Sequence, residues 1–259
     1  MPKDFLPAMG TPAMLPFYDL FGRAAGIDTA YWQLVAQAGI APGSRVLEIG
    51  CGSGNVLLLA ARAVPDALFT GLDPDQDALT LAAKKAAELG ATITFEQGYA
   101  QQLPAADGSV DRVLSSLMLH HLPAEDQAAA LREVHRVLAP GGSLHLVDLD
   151  HDPRSGTPRS PLHLAMRGVH AVLAKLGRAE PRGHGHGDRA HPGHTPTEHA
   201  PGAHPTGEQH GHGHGHGHGH GGPARPVTDL LAEAGFAEAV LLGRRPTRLG
   251  PLSFYRAER

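Results

Sequence analysis

The chain has one cysteine, Cys51, in 259 residues. That excludes an internal disulfide framework and any zinc site built from several thiolates. No apolar run approaches the roughly eighteen residues that a membrane-crossing helix needs, so no membrane span is expected. Met1-Pro2-Lys3-Asp4-Phe5 lacks a basic segment followed by an apolar run. A secretory signal is therefore not expected, and the cytoplasm is the expected compartment. Positive charge is not in excess: the net charge is −4. This gives no general attraction to nucleic acid or to an anionic membrane. Nothing in the composition sets an oligomeric state.

Apolar residues make up 41% of the chain, enough for a substantial core. Histidine is the outlier, and 12 of the 19 lie between His184 and His220. Two materials are thus joined: an Ala/Leu/Val-rich globular chain and a Gly/His/Pro tract.

Residues 1–40 read as a helical lead-in or lid. Pro2, Pro7, Pro12 and Pro16 keep its start irregular. Ala30, Leu34 and Val35 then recur at helical spacing, and Gly39 ends the helix. From Arg45 short apolar runs alternate with helical patterns. Strands are expected at 46–49, 68–72, 93–95, 110–114 and 143–149. Helices are expected at 55–63, 78–89, 124–138, 161–177 and 227–234. Such alternation predicts an α/β fold, with a doubly wound, mostly parallel sheet and helices on both faces. Pro140-Gly141-Gly142 reads as a sharp turn. Two last strands, 237–242 and 252–255, are separated by Gly243-Arg244-Arg245-Pro246. That is too short for a crossover helix, so an antiparallel C-terminal hairpin is expected. The domain then spans residues 41–259, interrupted by the tract at 183–222.

The sharpest feature is Glu48-Ile49-Gly50-Cys51-Gly52-Ser53-Gly54, directly after the first strand. Glycines let the backbone turn tightly and let a ligand approach the main chain. The helix that follows offers free amides and a positive dipole end. Asp73 closes the second strand, where a carboxylate can accept from both hydroxyls of a ribose. Loop and acid together indicate an adenosine-containing cofactor. The dinucleotide pattern Gly-x-Gly-x-x-Gly does not fit, because Gly54 falls one place early. That disfavours a nicotinamide-dependent oxidoreductase.

The loop and its preceding acid resemble the first motif of class I S-adenosylmethionine-dependent methyltransferases. Asp73 matches that family's ribose-binding acid. Pro104–Val113, Leu117-Met118-Leu119-His120-His121-Leu122 and Leu131–Gly142 are similar to its later motifs, in the same order. The resemblance is closest to the small-molecule subgroup that contains ubiquinone and menaquinone C-methyltransferases. It covers about residues 40–150 and extends to 227–259. It implies S-adenosylmethionine as cofactor and a small-molecule acceptor. Gly50, Gly52 and Gly54 would cradle the methionine end, and Glu48 would orient it. Leu72 and Pro74 would flank adenine, with Tyr99 and Ala100 at its far edge. Ser116 and Leu117 would complete the pocket, and Phe17-Tyr18-Asp19 resembles the subgroup's lid. One departure stands out: the family's Gly-Asp-Ala is here Gly98-Tyr99-Ala100. Tyr99 either stacks on adenine or fills space.

Methyl transfer from a sulfonium needs an aligned nucleophile, and a base where that nucleophile must lose a proton. His120 and His121 follow strand four, where open parallel sheets bind ligands, and are the catalytic candidates. The competing reading is that one of them caps or packs at the next helix. Asp148, Asp150 and His151 end strand five, where a charged group could face the substrate, with solvated strand-end charges the favoured reading. His163 and His170 share a helix face, with core or surface placement favoured over a ligand role. His135 and His145 are given no role. Cys51 is expected to pack behind the cofactor without acting as a nucleophile. A lone thiol also argues against thiolate-based arsenite methylation.

In the tract, His212, His214, His216, His218 and His220 each follow a glycine. Glycine and proline cannot build a core, so disorder is expected without a ligand. Clustered imidazoles bind Ni²⁺ or Zn²⁺ whether or not that binding is selected. The alternative function is metal storage on a catalytically silent methyltransferase scaffold.

Overall fold

The computed structural model describes residues 26–149, 225–248 and 250–259. Tyr18, the helix expected at 161–177, Asp150, His151, His163, His170 and the tract with its five alternating histidines lie outside the described residues.

The described chain runs α1 (Ile27–Ala38), β1 (Arg45–Ile49), α2 (Asn55–Ala63), β2 (Leu68–Asp73), α3 (Gln76–Leu89) and β3 (Ile93–Gln97). It continues with β4 (Val110–Ser116), a 3₁₀ turn (Leu119–His121), α4 (Ala124–Val137) and β5 (Leu138–Leu149). It closes with α5 (Val227–Glu233), β6 (Glu238–Thr247) and β7 (Gly250–Glu258). The strands form one seven-stranded sheet in the order β3-β2-β1-β4-β5-β7-β6. β1 to β5 pair in parallel, and β7 pairs antiparallel to both β5 and β6. The order reverses direction at β1 and β4, so the crevice above their carboxyl ends is where this architecture binds ligands.

Alternation along each strand builds two cores. Val46, Phe69, Leu114 and Phe254 face α1, α2 and Leu79 of α3. Leu47, Val113, Leu144, Leu146 and Tyr255 face Leu131 and Val134 of α4 and Leu230 and Leu231 of α5. Burial on both sides is why the strands read as continuous apolar runs. α1 buries Ile27, Ala30, Leu34 and Ala38 in the first core and stops at Gly39, whose φ is 56°.

Three of the departures from the expected boundaries have a visible cause. α3 starts at Gln76 because the Asp75 carboxylate accepts from the N–H groups of Asp77 and Ala78 at 2.9 and 3.2 Å. Such a cap satisfies amides that the helix itself cannot. Pro140-Gly141-Gly142 is an irregularity inside β5, since pairing jumps from Val110↔Leu138 to Arg112↔Ser143. Gly142 has to be glycine there: a Cβ would lie 2.8 Å from the Ala139 carbonyl. Gly243-Arg244-Arg245-Pro246 lies within β6, and the reversal comes after Thr247, which pairs with Gly250. The antiparallel hairpin stands, but its arms are longer than expected because β6 follows β7 to its full length.

α5 resumes the core beyond residues 183–222. Leu231→Ala should therefore destabilise the whole domain by about 2–5 kcal/mol, as for a fully buried leucine. A denaturant titration showing a change below about 1 kcal/mol would mean that α5 is a separable appendage.

Candidate active site

The glycine loop is built on β1 and held down by β2. The N–H groups of Gly50 and Cys51 donate to the Leu72 carbonyl at 2.8 and 3.1 Å. Gly52 N–H donates to one oxygen of Asp73 at 2.8 Å, and Asp75 N–H donates to the other at 2.9 Å. Asp73 thus clamps the loop as well as ending its strand. Burial raises its pKa, partly offset by the two amides. The Leu72 side chain is in the core, so what it presents to the loop is its carbonyl.

Each glycine has its own reason. At Gly50, φ 66°, a Cβ would fall 2.3 Å from Met118 Cγ. At Gly54, φ 78°, it would reach Ala82 and Phe95. At Gly52, φ 50°, it would meet no atom within 4 Å. The loop is closed below and open above Gly52.

Glu48 forms the wall of the crevice. It is 1% exposed, and one oxygen accepts from the Ser116 hydroxyl at 3.3 Å. The other oxygen is buried without a hydrogen-bond partner. Burial pushes this carboxyl well above the usual carboxylate range, and the charge of Asp73 adds to the shift. A buried acceptor without a donor is costly unless a ligand supplies one. Tyr31, Glu48, Gly50, Cys51, Gly52, Ser53, Asn55, Val56 and Ser116 line a cleft of about 300 Å³ that opens to solvent.

Of the expected cofactor residues, Glu48, Gly50, Cys51, Gly52 and Ser116 meet at this cleft. Asp73 and Leu72 hold it from behind. Leu117 takes φ 53°, rare for a non-glycine residue, and is buried in the first core. Its N–H donates to the Val147 carbonyl at 2.8 Å. The left-handed residue turns the chain from β4 toward Met118, which lies on Gly50. Strained backbone of this kind persists where surrounding bonds over-determine it. Gly98 N–H bonds the Asp73 carbonyl at 3.1 Å, and Gln97 Nε2 bonds the Pro74 carbonyl at 3.0 Å, joining the two expected adenine-side segments. Tyr99 is 38% exposed, so it does not fill the core.

Cys51 sits behind the loop against Gly71. Burial pushes its thiol far up, with Glu48 and Asp73 adding to the shift. Sequence reading missed Tyr31, Ser53, Asn55 and Val56 as cleft residues. Tyr31 lies on α1, whose periodicity announced only packing. Ser53 and Asn55 flank Gly54, and both are bonded by Lys85 Nζ of α3, at 3.2 and 2.6 Å.

Asp148 is not a solvated charge. It is 3% exposed and bonds the next turn twice. One oxygen accepts from His120 N–H at 3.0 Å, and the other is in short contact with His120 Nδ1. The His120 side chain is 17% exposed, and its ring centroid lies 4.0 Å from that of His121. Burial alone would lower the His120 pKa, but Asp148 outweighs it and the pKa is raised. Burial would raise Asp148, but His120 and nearby amides hold it below the usual range. His145 is buried too, and burial with Arg112 and Arg256 lowers its pKa to about 4, keeping it neutral.

Residues 46–142 match a family described as a methyltransferase domain. An uncharacterized methyltransferase of Synechocystis is 35% identical over 154 residues, 58% of this chain and 69% of that protein. A ubiquinone biosynthesis O-methyltransferase of Pseudomonas aeruginosa is 35% identical over 120 residues, 46% of this chain and 50% of that protein. The structure of a SAM-dependent methyltransferase from Aquifex aeolicus superposes with a TM-score of 0.56 at 15% identity, covering 96% and 99% of the two chains, a likeness of fold. The chain belongs to the class I S-adenosylmethionine-dependent methyltransferases. It spans 40% of the length of a more similar relative, an uncharacterized protein of Mycobacterium bovis, 40% identical over 114 residues, which cover 44% of this chain. No helix among the described residues is long and apolar enough to cross a membrane.

Two outcomes test the loop. Gly50→Ala should lower stability by about 1–3 kcal/mol, because both its backbone and Met118 must shift; an unchanged melting temperature would contradict the close contact. Cys51 should resist a thiol reagent at pH 8 in the folded protein and react promptly in denaturant. Equal rates in the two states would show that the thiol is accessible.

Proposed function

We propose that this protein transfers a methyl group from S-adenosylmethionine to a small-molecule acceptor. The observation that carries the reading is Glu48, buried with one oxygen lacking a hydrogen-bond partner, lining the same cleft as a glycine loop that is open above Gly52. The residues fit the cofactor: an acceptor waits for an ammonium group, and bare backbone waits for a close approach. Glu48 and the three glycines would hold the methionine end. Asp73, already clamping the loop, keeps lone pairs for the ribose hydroxyls. Pro74, Tyr99 and Ala100 would border adenine, with Leu72 supporting them from the core. Ser116 and Leu117 would close the pocket, and Tyr18 would cover it from the lead-in.

Bound there, S-adenosylmethionine supplies an electrophilic methyl carbon on a sulfonium. The protein's part is to align the acceptor with that carbon and exclude water. A small-molecule acceptor is supported by the ubiquinone-pathway relative. The net charge of −4 supports the absence of a nucleic-acid partner, and the single unpaired buried thiol suits the cytoplasm.

The imidazoles of His212, His214, His216, His218 and His220 give the chain a second, separable property: a set of Ni²⁺ or Zn²⁺ ligands. Among the described residues no group of three or more His, Cys, Asp or Glu is placed to hold a metal.

Glu48→Gln should weaken S-adenosylmethionine binding by about tenfold or more, equivalent to about 1.4 kcal/mol. The amide would present a donor where the ligand needs an acceptor. Calorimetry on parent and variant decides this, and equal affinities would remove Glu48 from the site. S-adenosylhomocysteine retained through purification, seen by mass spectrometry, is the complementary positive result.

A further inference from the structure

We propose that His145 is an acid-sensitive latch beneath α1: as a neutral ring it lets the helix close on the sheet, and as a charged ring it drives the helix off. The inference does not depend on the cofactor reading, because it concerns a wall of the cleft and not what the cleft holds.

A titratable side chain sits where an apolar one would pack better. His145 lies in the middle of β5 and is 2% exposed. Its Nε2 is 3.0 Å from the Ser143 hydroxyl, and its Nδ1 is buried without a hydrogen-bond partner. Ser143 and Val147 share its face of the strand, and Val147 belongs to the first core. The helix that packs on this side of β4 and β5 is α1. A leucine at position 145 would join Leu34, Val35 and Leu114 there and leave no nitrogen unsatisfied.

The ring's surroundings are cationic. β4 sets Leu114 opposite His145 and Arg112 opposite Ser143. β7 sets Arg256 opposite His145 and Glu258 opposite Ser143. Glu258 is engaged by Arg256. Asp111 alternates to the other face of β4 and pairs with Arg45. From α1 the group that reaches down is the Ala38 carbonyl, which accepts from Arg112 Nε at 2.8 Å. Asp28, the one charged residue of α1, is exposed in its first turn. Among the described residues no carboxylate bonds the ring, whose partner is a neutral hydroxyl.

A proton on His145 would therefore place a third positive charge beside Arg112 and Arg256, in a buried site. Burial first, and then these two arginines, lower its pKa to about 4. A histidine in water titrates near 6.5, so any state that exposes the ring takes up the proton first. The stability that the closed state draws from the neutral ring is complete above about pH 6.5 and is lost progressively as pH falls toward about 4.

α1 is the element placed to give way. β5 is held along both edges by β4 and β7. α1 is held by one buried face and leaves Trp32 55% exposed on its outer side. It also carries Tyr31 into the cleft, so its release removes one wall of that cleft.

The test follows α1 in the full chain without ligand. Amide hydrogen exchange, corrected for its intrinsic pH dependence, gives opening constants for α1 and for α4, which packs on the opposite face. In the parent, α1 should open about twentyfold more at pH 5 than at pH 7, and about a hundredfold more at pH 4. α4 should stay level between pH 7 and pH 5. Trp32, the only tryptophan in the chain, should lose fluorescence anisotropy over the same range. In His145→Gln, whose side chain cannot take a proton, the rise between pH 7 and pH 5 should vanish. Arg256→Gln, at an exposed position, should shrink it by removing one of the two cations.

A level α1 in the parent overturns the latch, as does a rise that α4 shares in full, which would be global unfolding. A rise in His145→Gln equal to that of the parent also overturns it. Should His145→Gln fail to fold, the contrast of α1 with α4 in the parent and the Arg256→Gln response decide the question, and an undiminished rise in Arg256→Gln overturns the assignment.

Discussion

The carboxylate of Asp73 is the constraint on which the site depends. A loop that is to expose its backbone cannot bury that backbone to stay ordered, so something behind it must hold it. Asp73 does this from the end of β2, accepting Gly52 N–H with one oxygen and Asp75 N–H with the other. The Leu72 carbonyl takes the two preceding amides. Once these bonds exist, the loop rests on the second strand as well as the first, and α2 starts at a defined place. The carboxylate is 8% exposed, so the clamp is shielded from competing water.

A second carboxylate organises the other half of the crevice. Asp148 ties the turn after β4 to β5, as Asp73 ties the loop after β1 to β2. Each links a connection at the carboxyl edge of the sheet to the neighbouring parallel strand. The difference lies in the partner. Asp73 bonds amides, which cannot titrate. Asp148 bonds a histidine, which can, and each partner shifts the other toward its charged form. Glu48 is a third case. Its buried oxygen has no donor, so burial favours its neutral form until a ligand changes the balance.

Much of this was legible along the chain. The alternation of apolar runs with helical periodicity located every strand and helix among the described residues to within a few positions, because burial on both faces leaves a strong signal. The glycine spacing and the acid at the end of β2 were local patterns with a local cause. The missed boundaries share another origin. Asp75 extended α3 through its side chain. β6 ran through Gly243 and Pro246 because β7 offered an edge along its whole length. Pairing with a distant segment overrides turn residues that would end a strand alone.

The sequence by itself determined the parallel α/β plan, the positions of Gly50, Gly52 and Gly54, and the presence of histidines after β4. These depend on neighbours within a few residues. Tertiary structure decided which groups act together. Tyr31 reached the cleft because α1 packs on the sheet against β4 and β5 and alongside α2. Asp148 met His120 across 28 positions because β4 and β5 are adjacent. Leu117 adopted a left-handed turn that no leucine announces. Side-chain identity is written in the chain, but burial and the company a charge keeps are properties of the packed sheet. Those properties turned a strand-end aspartate into the partner of a histidine.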